Sequence, residues 1–389
     1  MMDFSLTDEQ VLMKQGIAEW CRTNMPEHKI QEWYANRGIE QQVAKSWVDA
    51  GFGKLGIPEE YGGTPCDKLT LCLAIEELCH GGGNIPMAPN ALINFDILEF
   101  GSPEQIRDAM DYYFELGIPK YALAISEPNA GSDNQGMCTY TTRDADGRIH
   151  IHGAKTWVTN GEWSPGLIVV AKDDDPSREN KNMSMWLVET STPGIRIEKL
   201  NKIGMQIAPF CTVHFDDVVV EESALLGERG KGLYNLMKNF EFERAVLIAE
   251  LLGEAQAAMD DAAEWVNQRE AFGQGVKTFQ LVQEHITDMQ IKLSNSRNFL
   301  YRTCWKMDNG LPVNNDAAML KRYAAPALTE VCSEALQLYG GLGFTDQTRV
   351  SRLMLDCRGM QIGGGTIEIM VHIAGRGILK EYAKNGFYY

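Results

Sequence analysis

Residues Gly147–Gly161 read GRIHIHGAKTWVTNG, and this stretch decides the fold because it is the clearest break in an otherwise helical texture. Ile149 and Ile151 alternate with His150 and His152, the period of two expected of a strand with one buried face. Short β-rich runs surround it: GLIVVAK (166–172), MSMWLVET (183–190) and TVHFDDVVV (212–220), the last alternating Val213 and Phe215 with polar neighbours. From about Tyr121 to Glu221 the pattern predicts a small antiparallel sheet domain. The HxH spacing of His150 and His152 lacks carboxylate or cysteine companions in a ligand-like pattern, so both are assigned to the outward face of a strand rather than to a metal.

Working outward, the region from Thr7 to about Gly117 is helical in its periodicity. Segments such as QQVAKSWVDAGF (41–52) and LTLCLAIEELC (69–79) are separated by turns such as GIPEEYGGTP (56–65), predicting four to six helices. Thr7 and Gln10 form a capping-box pattern for the first of them. HGGGNIPMAPN, His80–Asn90, reads as a flexible connection. From Gly230 onward, long periodic segments over 233–267, 278–309, 314–339 and 366–383, broken by FGQG, NGLP and GGLG, predict a four-helix bundle. The fold class is therefore α+β and multi-domain. An N-terminal helical domain is expected over 1–118, a middle antiparallel β domain over 119–228 and a C-terminal four-helix bundle over 229–389, with a ligand cleft between the layers.

A formal charge of −17 over 389 residues argues against a nucleic acid or an anionic membrane as partner, so an anionic ligand would need local basic residues. The first residues lack the pattern of a secretory signal, no apolar run approaches bilayer length, and nine cysteines are scattered without CxxC or Cys/His spacing. These features predict a cytoplasmic protein with reduced thiols, no disulfide, no structural zinc and no membrane insertion. There is no GxGxxG after a predicted strand, no GxxxxGK[ST], no GxSxG and no HExxH, which removes the usual support for Rossmann, P-loop, hydrolase and zincin readings.

Six stretches remain, five of which pair glycines with hydroxyl, amide or charged side chains: AISEPNAGSD (124–133), KTWVTNG (155–161), NFEFERA (239–245), NQREAFGQ (267–274), QLYGGLG (337–343) and GGGTIEI (363–369). Taken in order, they resemble the acyl-CoA dehydrogenase family of flavoproteins over essentially the whole chain. The resemblance implies a homotetramer that binds FAD between domains and across a subunit interface, acts on an acyl-CoA or enoyl-CoA, and exchanges electrons with an electron-transfer flavoprotein. It assigns Ser126, Trp157 and Thr159 to the flavin ring, and Ser132 to a position near both flavin and CoA. Arg269, Phe272 and Gln280 are implied to bind the FAD pyrophosphate and adenine of a neighbouring subunit. Gln337, Gly340 and Gly341 match the loop receiving the adenosine end, and Thr366 and Glu368 complete the cofactor contacts. Glu241 and Arg244 are carried over as substrate contacts, although relatives often have Asp where Glu241 stands. Asn129 replaces a commoner glycine, and GMQIAPFCTV (204–213) departs from the usual hydroxyl-rich loop.

The implied reaction removes a proton α to the thioester and a hydride from the β carbon, so it needs a base, best supplied by a carboxylate in a dry pocket. Many relatives carry that glutamate in a YEGT motif, and Gly364 stands in its place here. A subgroup resembling isovaleryl-CoA dehydrogenase has the glutamate on the first long bundle helix instead, where this chain has FEFERA. The base is therefore expected at Glu243, with the glycines making room for it; the alternative for Glu243 is a solvated helix carboxylate of the kind expected at Glu250 and Glu254. The last third is similar to bacterial members that include crotonobetainyl-CoA reductase, so either direction of reaction is open. Two rivals stay open as well: a flavoprotein oxidase or monooxygenase on a non-CoA substrate, and a catalytically silent flavin- or CoA-binding protein.

Overall fold

The computed structural model describes residues 5–83, 86–173 and 182–388. Six helices precede the sheet: α1 (Asp8–Asn24), α2 (Glu27–Asn36), α3 (Gln41–Asp49), α4 (Lys68–Gly82), α5 (Met87–Phe100) and α6 (Pro103–Leu116). The expected capping box starts α1, with Gln10 N–H donating to Thr7 Oγ1 and Thr7 N–H donating to Gln10 Oε1. His80–Asn90 does not act as one flexible connection, because its first residues end α4 and its last belong to α5. Residues 84 and 85 lie outside the described residues.

The sheet contains β1 (Tyr121–Ala124), β2 (Tyr140–Arg143), β3 (Ile149–Thr159), β4 (Gly166–Lys172), β5 (Met183–Glu189), β6 (Ile195–Leu200), β7 (Phe210–Val220) and β8 (Leu225–Leu226). Its order is β6-β7-β3-β2-β4-β5-β8, with β1 also on β4. Antiparallel pairing dominates, but β1 runs parallel to β4 from Tyr121 opposite Gly166 to Ala124 opposite Val169, and β2 meets β4 in parallel at Tyr140 and Lys172. The β2–β3 hairpin lies in the crossover from β1 to β4, which supplies the chain length a parallel pair requires. Strand β4 is buried on both faces: Ile168 and Val170 join the core shared with α6, and Leu167, Val169 and Ala171 join the core shared with β3 and β7. His150 and His152 do lie on the half-exposed face. His150 has two carboxylate neighbours, Asp217 at 2.7 Å and Asp144 at 3.2 Å, which the sequence reading did not foresee, but no group suited to a metal occurs among the described residues.

Four long helices follow: α7 (Gly232–Gln268), α8 (Gln280–Asp308) and α9 (Asn314–Tyr339), then, after the shorter α10 (Arg349–Gly359), α11 (Ile367–Asn385). They match the four expected segments; α10 was not expected. Its buried apolar residues are only Val350, Leu353 and Cys357, and two of its buried residues are charged. Arg352 forms a two-pronged pair with Glu27 of α2 at 2.8 and 2.9 Å, and Asp356 accepts from Tyr34 Oη of α2 and from the Met205 N–H in the β6–β7 connection. Thus α10 joins the N-terminal helices, the sheet and the bundle at one point. All nine cysteines are free thiols, and no helix among the described residues is long and apolar enough to cross a membrane.

Burial pushes the Asp356 carboxyl up from 3.8 to about 8, against the lowering effect of its Met205 N–H bond. A carboxyl whose pKa is raised on folding contributes stability that is present below its unfolded pKa and lost as pH rises toward the folded value. Asp356→Asn keeps the shape and cannot ionise. Its unfolding temperature should therefore lie near or below the parent's at about pH 4 and rise relative to the parent's through about pH 8, a trend that paired thermal melts across this range would check.

Candidate active site

One wall of the site is built by β3. The β3–β7 register shifts between Lys155 and Val158, a bulge that leaves Trp157 at φ 60° with its ring 57% exposed, while Asn160 beyond it is also left-handed at φ 61°. Ser126 is brought beside this bulge, because its carbonyl accepts from the Thr156 N–H at 2.8 Å. A buried ion pair holds that arrangement. Lys155 Nζ donates to Glu127 Oε1 and to the Ile125 carbonyl, both at 2.8 Å, and Glu127 also accepts from the N–H groups of Cys138 and Thr139. Burial pulls Lys155 down to about 8, while the lysine and the N–H donors hold Glu127 below the ordinary carboxylate range despite its burial. Glu127 in ISEP and Lys155 in KTWVT are charges of opposite sign among small and apolar neighbours, which is the signal of this pair in the sequence. Thr159 is half-buried opposite Phe210, and Ser132 is exposed on the loop after β1.

A second cluster is built on α7. Glu243 is enclosed by protein except for a small accessible surface, and burial raises its carboxyl pKa against the opposing pull of Lys321 and Arg244. The glycine turn lies directly on it. A Cβ built on Gly364 would sit 3.3 Å from Glu243 Oε1, 3.2 Å from Lys321 Nζ and 2.5 Å from Leu247 Cδ1, with Gly364 at φ +62° and Gly365 at φ +87°. The Gly364 backbone therefore packs directly against the Glu243 carboxylate, the Lys321 ammonium and Leu247, at a place with no room for a side chain. Glu250 and Glu254 are not the solvated carboxylates expected from sequence; they are 1% and 0% exposed in the α7 core. Arg244 is 5% exposed, and its Nε and Nη1 have no hydrogen-bond partner. One turn before Glu243, Asn239 Nδ2 donates to Asp96 Oδ1 of α5 at 2.8 Å. Burial pushes the Asp96 carboxyl up to about 7, with Glu243 adding repulsion. Glu241, half-buried on the same helix, is also raised by burial.

Neither Lys321 nor Asp96 was singled out from sequence. Lys321 was nevertheless visible as a cation inside the apolar stripe Ala317, Leu320, Ala324, Leu328 of α9. The remaining predicted residues lie apart from Glu243 in sequence and on exposed ends. Arg269 and Phe272 occupy the α7–α8 connection, Phe272 being 96% exposed at φ 54°, and Gln280 opens α8. Gln337 is exposed near the end of α9, and Gly340 and Gly341 follow it. A Trp265–Tyr339 stack at 4.7 Å joins these two helix ends, and Arg269 lies over Trp265. Thr366 caps α11 through the Ile369 N–H, and Glu368 lies in its first turn, where that helix terminus holds its carboxyl below the usual range.

Three family models match in sequence: acyl-CoA dehydrogenase N-terminal domain over residues 7–111, middle domain over 122–218 and C-terminal domain over 230–379. The Escherichia coli (strain K12) protein named "Probable acyl-CoA dehydrogenase YdiO" is 42% identical over 98% of this chain and 99% of its own. The chain belongs to the acyl-CoA dehydrogenase family. Among solved structures, butyryl-CoA dehydrogenase from Megasphaera elsdenii superposes with a TM-score of 0.90 at 30% identity, covering 97% of this chain and 100% of that one. A chain solved in work on the electron transferring flavoprotein of Acidaminococcus fermentans gives a TM-score of 0.90 at 29% identity, over 97% and 100%.

As an acyl-CoA dehydrogenase, the protein is an FAD-dependent oxidoreductase. Its residues fit that cofactor. The exposed Trp157 ring is held outward by the bulge, the buried Arg244 donors lack a partner, and Arg269 is an exposed cation with no ion pair among the described residues.

The glycine turn yields a direct test. A left-handed L-residue costs about 1–2 kcal/mol, and Leu247 must move to admit a methyl group. Gly364→Ala should therefore lower the unfolding temperature measurably. Gly363→Ala, whose new methyl group would meet only the Gly359 carbonyl at 3.8 Å, should leave it nearly unchanged in the same thermal melts.

Proposed function

We propose that this acyl-CoA dehydrogenase carries out α,β-dehydrogenation of a short or modified acyl-CoA, or the reverse reduction of an enoyl-CoA, with Glu243 as the base. The observation that carries the reading is that the backbone of the glycine turn, with no side chain at Gly364, lies directly against the enclosed Glu243 carboxylate. Burial raises the pKa of that carboxyl in the direction suited to taking a weakly acidic α-proton. Bound FAD supplies the acceptor for the hydride leaving the β carbon. Glu243 takes the α-proton in oxidation, and when protonated returns it in reduction. Trp157, Ser126, Thr159 and Ser132 would hold the flavin and its neighbourhood, and Thr366 and Glu368 its surroundings on the bundle side. Arg269, Phe272, Gln280, Gln337, Gly340 and Gly341 would hold the adenosine and pyrophosphate. Arg244 and Glu241 would contact substrate.

Three further parts belong to this proposal. Electrons pass to or from an electron-transfer flavoprotein, in line with the setting of the Acidaminococcus relative. The assembly is a homotetramer, a reading supported by exposed Phe272, Phe344 and Leu281. The compartment is the cytoplasm, a reading supported by nine free thiols. The modified acyl group is supported by Asp96 and Asn239, which set a polar surface one helical turn from Glu243.

The deciding experiment is an anaerobic titration of the FAD-loaded protein with short acyl-CoAs, following flavin absorbance. The parent should bleach, and Glu243→Gln should slow bleaching by about 10²–10⁴-fold. Equal bleaching in both would remove Glu243 from its role. For the acyl group, chains ending in a hydroxyl should bleach the parent at lower concentrations than alkyl chains of equal length, and Asp96→Leu should reverse that order in the same titration.

A further inference from the structure

Lys321 of α9 is fully buried, with 0% exposure among Ala317, Ala318, Leu320, Ala324 and Ala325. An ammonium in such surroundings persists only with compensating partners. The other fully buried lysine, Lys155, has a direct one, Glu127 at 2.8 Å. Lys321 forms no ion pair among the described residues. It donates instead to two backbone carbonyls, Gly363 O and, at 2.7 Å, Gly365 O, which bracket Gly364. An ammonium has three donors, so one N–H is left over. A Cβ built on Gly364 would lie within 3.3 Å of both Lys321 Nζ and Glu243 Oε1.

We propose that Lys321 is the positioning residue of this site: its ammonium pins the glycine turn by both flanking carbonyls, holding the turn's backbone against Glu243, and presents a positive charge that keeps the Glu243 side chain a carboxylate between turnovers. The proposal rests on Glu243 being the base. It explains why the turn holds two left-handed glycines against a charged group, since a side chain at Gly364 would meet both Nζ and the carboxylate. It also explains how a carboxylate this enclosed stays ionised. Burial works against both charges, pulling Lys321 down to about 8 and pushing Glu243 up, and each charge opposes the other's shift. The other charges around Glu243 are Arg244 and Glu241 on α7 and Asp96 on α5; the glycine turn contributes none.

The sign follows. Removing the cation removes support for the carboxylate, so the Glu243 pKa rises and the base form appears only at higher pH. The test is stopped-flow flavin reduction of the FAD-loaded protein by butyryl-CoA across the neutral pH range, in the parent, Lys321→Met and Lys321→Arg. Lys321→Met should move the acidic limb of the rate up by about one pH unit or more, with butyryl-CoA affinity within about twofold of the parent. Lys321→Arg should keep the parent's limb. A folded, yellow Lys321→Met with an unmoved limb would overturn the proposal and leave Lys321 a structural lysine. If Glu243→Gln reduces flavin as fast as the parent, the base assignment fails first. If that variant is inactive and the limb still does not move, only the role of Lys321 fails. Where Lys321→Met does not accumulate, infrared titration of the parent serves. The carboxylate band that Glu243→Gln abolishes should shift as Lys321 loses its proton, near pH 8, and a band insensitive there would overturn the proposal equally.

Discussion

A helix as long as α7 cannot hide its surface in one layer. At about 1.5 Å per residue its 37 residues run roughly 56 Å, longer than a single small core is wide. Its buried face includes Leu236 near the start, Ala245 to Ala258 in the middle and Val266 near the end. Different neighbours must cover these portions: β5 and α5 toward the start, α4 and α9 along the length, α10 beside them. The three regions of the chain are thus held in register by one element. Glu243 and Arg244 fall where the covering passes from sheet and α5 to bundle, the place where a cleft can open without exposing a core.

The charges follow the same logic. The chain carries −17 overall, yet the junction concentrates cations that are not spent on surface pairs: Arg244 with unpartnered donors and Lys321 on two carbonyls. Beside the β3 bulge a buried lysine and glutamate cancel and serve only to fasten a loop. Two buried lysines in one chain therefore do different things, and what separates them is whether a carboxylate lies in direct contact.

Much of this was legible in sequence where a pattern is local. The alternation in GRIHIHG, the capping box at Thr7 and the four long periodic segments each became the element they predicted, because each depends on neighbours within a few residues. What stayed hidden depended on distant partners. The parallel β1–β4 pair is a consequence of topology. Helix α10 is short, and its buried Arg352 and Asp356 read as surface until α2 and the β6–β7 connection are brought against them. Glu250 and Glu254 misled for the same reason, and the contact between Asp96 and Asn239 has no local signal at all. At the site, the spacing of FEFERA and the glycines pointed to Glu243, and the fold brought the two together. Lys321, which holds the glycine turn by two carbonyls, lies far from both in the chain.

The bulge in β3 has a consequence for how that strand is counted. Before it, odd positions face the core: Ile149, Ile151 and Lys155 are buried. After it, even positions do, with Val158 and Asn160 buried and Trp157 left outside. The strand is thus two rulers joined out of phase, and the extra residue is the joint. Deleting one residue there would put the two halves back in phase, turning Val158 toward solvent and Thr159 into the core. The aromatic wall is in this sense an insertion written into the register, and its place depends on the parity of the chain more than on the identity of any single side chain.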